Sequence, residues 1–207
     1  MKFNSDIDID FANRDDILQH IRHTSAHIKS DGKLRKHPSG VYVTDIPYDP
    51  FNDWCALDYH NAEARGYLKL DFLNVWVYKH VKNEEHLVSL MREPKWQRLR
   101  ETEFFKKLIH IGDHYDSMLK MPQEIDSIPR MAMFLSVIRP GKRHLIGKSW
   151  TEVSKTVWDR DADTYSFKKS HSIAYAHLVV VHMNLLEELG LHAFDEGDAT
   201  SFNSALG

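Results

Sequence analysis

Residues 6–11 read DIDIDF, and this strict alternation of acidic and apolar side chains is the strongest constraint on how the chain folds. Successive side chains of a β-strand point to opposite faces of a sheet, so the pattern predicts a strand with Asp6, Asp8 and Asp10 on one face. Aspartate is disfavoured in strands and neighbouring like charges repel, so this row of carboxylates needs a physical explanation. The opposite face, which we expect to pack into a core, consists of Ile7, Ile9 and Phe11.

Two interpretations explain the acidic row. Mg²⁺ prefers hard oxygen ligands, and a pair of such ions between carboxylates can promote phosphoryl transfer. Asp71, near the end of the predicted strand GYLKLDF, provides a third carboxylate from a neighbouring strand. Alternatively, the row is the solvated face of an edge strand, where charge prevents pairing with other chains. The motif alone leaves both interpretations open.

Composition narrows the class of protein. The chain has 207 residues, a net charge of −3 and a single cysteine, Cys55. This charge excludes the strongly basic class of nucleic-acid-binding proteins, so such binding would depend on local basic patches. A single cysteine excludes an internal disulfide and fits a reducing cytosol. The polar N-terminus lacks signal-peptide character and no apolar run is long enough to span a bilayer, so we expect a cytoplasmic protein with no membrane partner.

The first part of the chain, residues 1–80, is expected to form a small acidic sheet. Its predicted strands are the acidic segment, GVYVTDI, CALDY and GYLKLDF. Apolar residues at helical spacing predict a helix over Arg14–Ile28, capped near Asn13. Between that helix and the next strand, KSDGKLRKHPSG (residues 29–40) is expected to be a basic loop because glycine and proline interrupt it.

Residues 81–207 are expected to be helical. Together with the sheet of residues 1–80, they would make an α+β protein, and we expect the two regions to form one compact unit. Segment 101–121 has helical spacing that Gly112 weakens. Pro129 suits the first turn of RMAMFLSVI, and Ser149 with Glu152 is a capping-box signature for the next helix. SHSIAYAHLVVVHMNLLEEL is predicted to be a long apolar helix that ends at Gly190.

Five segments resemble, in the same order, segments of the bacterial replicative DNA polymerases of the C family (DNA polymerase III alpha subunit). SDIDIDFANRDDILQHI (5–21) and HPSGVYVTDI (37–46) are similar to strands of the palm. ALDYHNAEARGYLKLDFLNVWVYKHV (56–81) resembles the palm stretch that follows them. MFLSVIRPGKR (133–143) resembles the palm–fingers junction, and YSFKKSHSIAYAHLVVVHMNLL (165–186) is similar to a fingers segment.

The resemblance implies an incomplete, palm-like mixed sheet of the polymerase-beta-type nucleotidyltransferase class, with a helical fingers-like region. Asp8 and Asp10 correspond to the paired metal-binding aspartates of the family, Asp71 to the third, and Lys69 to the palm lysine near the incoming phosphates. The implied cofactor is Mg²⁺, with two ions in the site. The residues that correspond to nucleotide- and DNA-facing positions, or lie beside them, are Arg139, Lys142, Arg143, Lys168, Lys169 and His171.

Two hypotheses for function follow from the resemblance. Family members carry a Gly-Ser-rich, triphosphate-binding turn just upstream of the aspartate strand, whereas here only four residues precede Ser5, so we expect another replication protein to supply it. The first hypothesis is a reduced polymerase-like enzyme of DNA replication with a Mg²⁺-dependent nucleotidyl-transfer site. The second is a non-catalytic module that binds DNA or the replisome. Such a reduced size would suit a phage or mobile-element gene, and a phage-encoded product would act in the host cytoplasm.

Overall fold

The computed structural model describes residues 7–30, 32–159 and 167–194. Asp6, the first member of the predicted acidic row, lies outside the described residues. The chain divides into two compact units, one that ends at Lys79 and one that begins at His80. A 3₁₀ helix, Trp76–His80, spans the boundary between them along the chain.

The first unit is built on a four-stranded mixed sheet with the strand order β1-β6-β3-β2. β1 and β6 are parallel, whereas β3 is antiparallel to both β6 and β2. A small second sheet pairs β4 with β5. The elements in chain order are β1 (Ile7–Phe11), α1 (Arg14–Leu18), β2 (Thr24–Ser30), β3 (Lys33–Tyr42), β4 (Tyr48–Asp49), β5 (Trp54–Cys55), α2 (Tyr59–Ala64) and β6 (Leu70–Asn74).

The apolar face of β1 is only partly covered. The rings of Phe11 and Phe72 lie 4.8 Å apart, and Phe72 is buried. Ile7, which was expected in the core, is instead 38% exposed. The reason is topological, because β1 is an edge strand and has a neighbour on one side only.

The predicted helix over Arg14–Ile28 is wrong beyond its first turns. α1 ends at Leu18, and the chain then returns as β2, which pairs with β3 and buries Ala26. The predicted basic loop over residues 29–40 is also wrong, because most of it belongs to β3. Ser30 pairs with Lys33, and the two residues between them in the sequence are Asp-Gly, a strong hairpin signal.

The second unit is helical. The α-helices, in chain order, are α3 (Glu84–Leu90), α4 (Thr102–Lys107), α5 (Tyr115–Leu119), α6 (Ile128–Val137), α7 (Trp150–Thr156) and α8 (Lys169–Leu189). Short 3₁₀ helices lie at Trp96–Arg100, Gly112–His114, Pro140–Leu145 and Leu191–Phe194.

Three local predictions for these helices are confirmed. Pro129 lies in the first turn of α6, and Ser149 and Glu152 form the capping box of α7. α8 ends at Gly190, whose φ of 82° is one that glycine adopts without strain. Segment 101–121 is interrupted at Gly112, where a Cβ atom would overlap the Lys106 carbonyl oxygen.

α8 forms the centre of the second unit and packs against α6 and α3. Two of its buried polar side chains have hydrogen-bond partners: the Ser172 hydroxyl lies 2.7 Å from that of Ser136, and the Asn184 amide donates to the Leu90 carbonyl at 2.8 Å. The His182 ring accepts a hydrogen bond from the Ile109 backbone N–H at 3.1 Å. The two units together confirm the predicted α+β class. None of the helices in the described ranges has the length and apolar character needed to cross a membrane.

The capping box of α7 gives a paired stability prediction. Ser149→Ala removes the hydroxyl that accepts the Glu152 backbone N–H, and should lower the free energy of unfolding by about 1 kcal/mol. Ser154→Ala, an exposed serine in the same helix, should change it by less than about 0.5 kcal/mol. Urea unfolding of both variants checks this, and equal losses would contradict the role of the cap.

The buried histidines of the second unit predict a loss of stability in mild acid. Burial lowers the pKa of His182 and of His110 to about 3, so both rings are neutral in the folded chain. In the unfolded chain each takes up a proton below the ordinary pKa of 6.5. Stability is therefore fully present above pH 6.5 and falls below it, by about 1.4 kcal/mol per ring between pH 7.5 and 5.5. Urea unfolding should show a shallower pH slope in His182→Gln, and an unchanged slope would contradict this.

Candidate functional site

The pairing of β1 with β6 brings the described aspartates to one face of the sheet. Asp8 is the register partner of Asp71, and Asp10 lies two residues further along β1. Register partners on parallel strands point to the same side of a sheet, as do residues two apart on one strand. On the other side of β6, Gly40 of β3 is the register partner of Asp71.

The Asp71 carboxylate is buried and already has partners. It is 8% exposed, and Lys69, two residues earlier on the same face, donates its ammonium to Oδ2. The Ser39 hydroxyl donates to Oδ1 at 2.7 Å. A buried carboxylate is strongly destabilising unless it is paired and hydrogen-bonded, and these two donors meet that need.

His37 lies beside this carboxylate as a neutral ring. Its Nδ1 atom is 3.7 Å from Asp71 Oδ1, but it accepts the Gly40 backbone N–H at 2.8 Å and so cannot also carry a proton. Burial and the nearby positive charge of Lys69 lower the pKa of His37, and Asp71 opposes them only in part. The contact between His37 and Asp71 is therefore not an ion pair.

Gly40 permits the close packing around Asp71. A Cβ atom at this position would lie 2.9 Å from both the His37 Nδ1 atom and the Lys69 Cδ atom. Any larger residue would push the histidine or the lysine away from the carboxylate. The segment from His37 to Gly40 is thus fitted to Asp71 from the neighbouring strand.

Asp10 has a different environment. Burial, and to a smaller extent the charge of Asp8, raise the pKa of Asp10. Among the described residues, no basic side chain lies within ion-pair distance of Asp10. Tyr78 is near enough that burial and the Asp10 charge raise the pKa of the phenol to about 12. We call the sheet face that carries Asp8, Asp10 and Asp71 the acidic face. On its β1 side, no described ion pair compensates the negative charge of Asp10.

The carboxylates supply the type of oxygen ligand that Mg²⁺ prefers, with one obstacle. Asp71 has one oxygen bonded to Lys69 and the other to Ser39. No group of three or more histidine, cysteine, aspartate or glutamate side chains in the described part of the chain is arranged to hold a metal ion. A divalent ion shared by Asp8 and Asp71 would require Lys69 to leave Asp71.

The candidate basic residues lie in the second unit. The Arg139 guanidinium lies over the Phe167 ring, 4.8 Å from its centroid, and Arg143 Nε donates to the Ile138 carbonyl at 3.3 Å. Lys142 is buried and donates to the Thr156 carbonyl at 3.0 Å, so its ammonium contributes to the packing of the helical unit.

The other three basic candidates lie at the start of α8. Lys168 is the N-cap residue of that helix, and the Lys169 ammonium lies 5.9 Å from the centroid of the Trp158 ring. The His171 ring contacts Phe167 edge-on at 6.1 Å. The assignment of these residues to nucleotide and DNA stays a prediction.

Three residues near the acidic face were missing from the predicted site: His37, Ser39 and Tyr78. The first two belong to the HPSG segment, which was matched to a palm strand without a role for its side chains. Tyr78 follows β6 in a 3₁₀ helix, and no sequence signal connects it with Asp10.

Comparison with known proteins gives no relative for this chain. No protein-family model matches it. No curated protein and no solved structure matches it significantly either. The resemblance to the C-family palm therefore stays a prediction from the sequence segments.

The unequal environments predict opposite effects of neutralising the aspartates. Asp71→Asn leaves the Lys69 ammonium without its carboxylate and should destabilise the fold by about 2–4 kcal/mol. Adding Lys69→Met should recover part of that loss, because both members of the pair are then removed. Asp10→Asn relieves burial of a charge and repulsion by Asp8, and should stabilise the fold by less than about 1 kcal/mol at pH 7.

Urea unfolding at pH 7 measures these differences. The Asp10→Asn gain should shrink as pH falls through the raised pKa of Asp10, because the parent carboxyl then becomes neutral as well. Equal losses in Asp71→Asn and Asp10→Asn would contradict the description of the site.

Proposed function

We propose that this chain is a reduced palm protein, similar to the C-family DNA polymerases, that acts in DNA replication through a Mg²⁺-dependent nucleotidyl-transfer site. The observation that carries the proposal is the register pairing of Asp8 with Asp71 on parallel strands, with Asp10 on the same face. Carboxylates from two adjacent strands on one face are the ligand arrangement that such chemistry needs.

Each residue of the face has a role in this proposal. Bound Mg²⁺ would neutralise phosphate charge and orient the reacting oxygen atoms. Asp8 and Asp10 would bind the ions from β1, and Asp71 would bind them from β6. Lys69 pairs with Asp71. Once a cation neutralises that carboxylate, the Lys69 side chain would move and its ammonium would form an ion pair with a substrate phosphate. The substrates are a nucleotide and DNA, and the protein would act in the cytoplasm, that of the host if a phage encodes it.

A second candidate function is a non-catalytic module that binds DNA or another replication protein. The contacts of Asp71 favour it, because Lys69 and Ser39 satisfy the carboxylate without a metal. In that case the acidic face retains a structural ion pair, and Asp8 and Asp10 are the charged surface of an edge strand.

Thermal unfolding with and without Mg²⁺ separates the two functions. A ligand that binds only the folded state stabilises it by about 1.4 kcal/mol at ten times its Kd and by about 2.7 kcal/mol at a hundred times. In a metal site, Mg²⁺ should raise the Tm of the parent and raise that of Asp8→Asn much less. Asp71→Asn is unsuitable as the diagnostic variant, because its loss of the Lys69 pair lowers stability for either function.

Asp16→Asn is the matched control for this experiment. Asp16 is an exposed aspartate of α1 in the same unit and is not one of the proposed metal ligands, so its replacement makes the same charge change without removing a ligand. Its Mg²⁺ response should equal that of the parent at constant ionic strength. If the Tm of the parent does not respond to Mg²⁺, the proposed metal site is wrong. The non-catalytic binding module is then the function that agrees with the result. Primer extension, with and without other replication proteins, then tests for synthesis, which Asp8→Asn should abolish and Asp16→Asn should retain.

A further inference from the structure

The hairpin of β2 and β3 extends beyond the rest of the sheet. β3 pairs with β6 only through Gly40 and Val41. Its pairing with β2 includes Tyr42 and Val41, is interrupted by a register shift between Ser25 and His27, and resumes from Lys36 to Lys33. Residues 28–30 and 32–36 therefore form the described end of a two-stranded ribbon, which we call the basic ribbon. Its described residues from Gly32 to Lys36 are all exposed, including Leu34 at 53%.

The basic ribbon has a charge opposite to that of the whole chain. Residues 28–36 contain four basic residues and one aspartate, a net +3 within a protein of net charge −3. Lys36 has an exposed ion pair with Asp53 at 3.5 Å. In the described part of the chain, no carboxylate lies within ion-pair distance of Lys29, Lys33 or Arg35.

These cations lie on both faces of the ribbon. The register pairs Ser30 with Lys33 and Ile28 with Arg35, which puts Lys33 and Arg35 on one face. Lys29, paired with Leu34, lies on the other face together with Lys36. One charged edge residue is enough to prevent strand pairing between chains, so positive charge on both faces calls for a further explanation.

We propose that the basic ribbon binds the phosphate backbone of duplex DNA. A two-stranded β-ribbon fits the major groove of B-DNA, where cations on its two faces can reach the phosphates of both strands. Residues 28–36 contain no phenylalanine, tyrosine or tryptophan, so the ribbon lacks the stacking surface that single-stranded DNA requires.

The position of the ribbon connects DNA binding with the acidic face. Lys33 pairs with Ser30 and Val41 pairs with Ser25, so the tip of the ribbon is five residues of β2, roughly 17 Å, from the point where β3 pairs with β6. Ser39 and His37, at the base of the ribbon, contact Asp71 directly. A duplex held by the ribbon would lie beside the aspartates. The binding does not require those aspartates to be catalytic, so it can be tested in EDTA, without the metal on which the proposed function depends.

The experiment measures binding of the full chain to a fluorescent 20-base-pair DNA duplex over a range of salt concentrations. The ribbon variant is Lys29→Gln/Lys33→Gln/Arg35→Gln. The control variant is Lys106→Gln/Lys120→Gln/Lys155→Gln, which replaces three exposed lysines of the helical unit. Both variants have a net charge of −6, that is −3 less three positive charges, so overall charge cannot explain a difference between them. Thermal unfolding verifies that both are folded.

The parent and the control variant should bind the duplex with similar affinity, and the ribbon variant should bind at least about tenfold more weakly at low salt. The slope of log K against log salt should become shallower by about 2–3 in the ribbon variant, because three phosphate contacts are lost. Equal weakening of the two variants, or no duplex binding by the parent at low salt, would overturn the proposal. So would tighter binding of the parent to single-stranded DNA, or to phosphatidylserine vesicles of equal charge.

Discussion

The buried carboxylate of Asp71 constrains the sheet unit more than any other single group. β6 lies between β1 and β3, so this charge is removed from water on both sides and must be neutralised within the protein. Lys69 supplies the charge and Ser39 a hydrogen bond. The absence of a side chain at Gly40 is what lets the lysine and His37 approach together. One carboxylate thereby accounts for the residue types at several positions of the neighbouring strand.

The two edges of the same sheet carry opposite charge. β1, at one edge, presents Asp8 and Asp10, and β2, at the other edge, joins β3 in the basic ribbon. Charged side chains at the edge strands keep sheets of different molecules from pairing with one another. This protection explains part of the distribution of charge at the two edges. The proposed binding of a nucleotide or DNA with Mg²⁺ would use the same separation of charge, because such a ligand carries both phosphates and a divalent cation.

Local sequence signals were sufficient where the decisive contacts are local. The Ser149 capping box, the first-turn Pro129 and the terminal Gly190 each act within one turn of their own helix, and each lies where the sequence predicted it. The segment from Arg14 to Ile28 was assigned wrongly because its apolar spacing also fits a helix. Pairing with β3 made the second half a strand, and the Asp-Gly pair at residues 31 and 32 was the signal that favoured a hairpin.

The sequence by itself determined the alternation of aspartates in β1, the α+β class, the starts of α6 and α7 and the end of α8, because these depend on residues close together in the chain. Only the tertiary structure decided which aspartates differ in environment. Asp8 and Asp71 are 63 positions apart and meet through the register of two parallel strands. Whether each carboxylate is paired depends on the depth of burial and on a lysine and a serine brought in by folding. Charge, burial and register are properties of the assembled sheet, and Asp10 and Asp71, with the same chemistry, therefore have different environments.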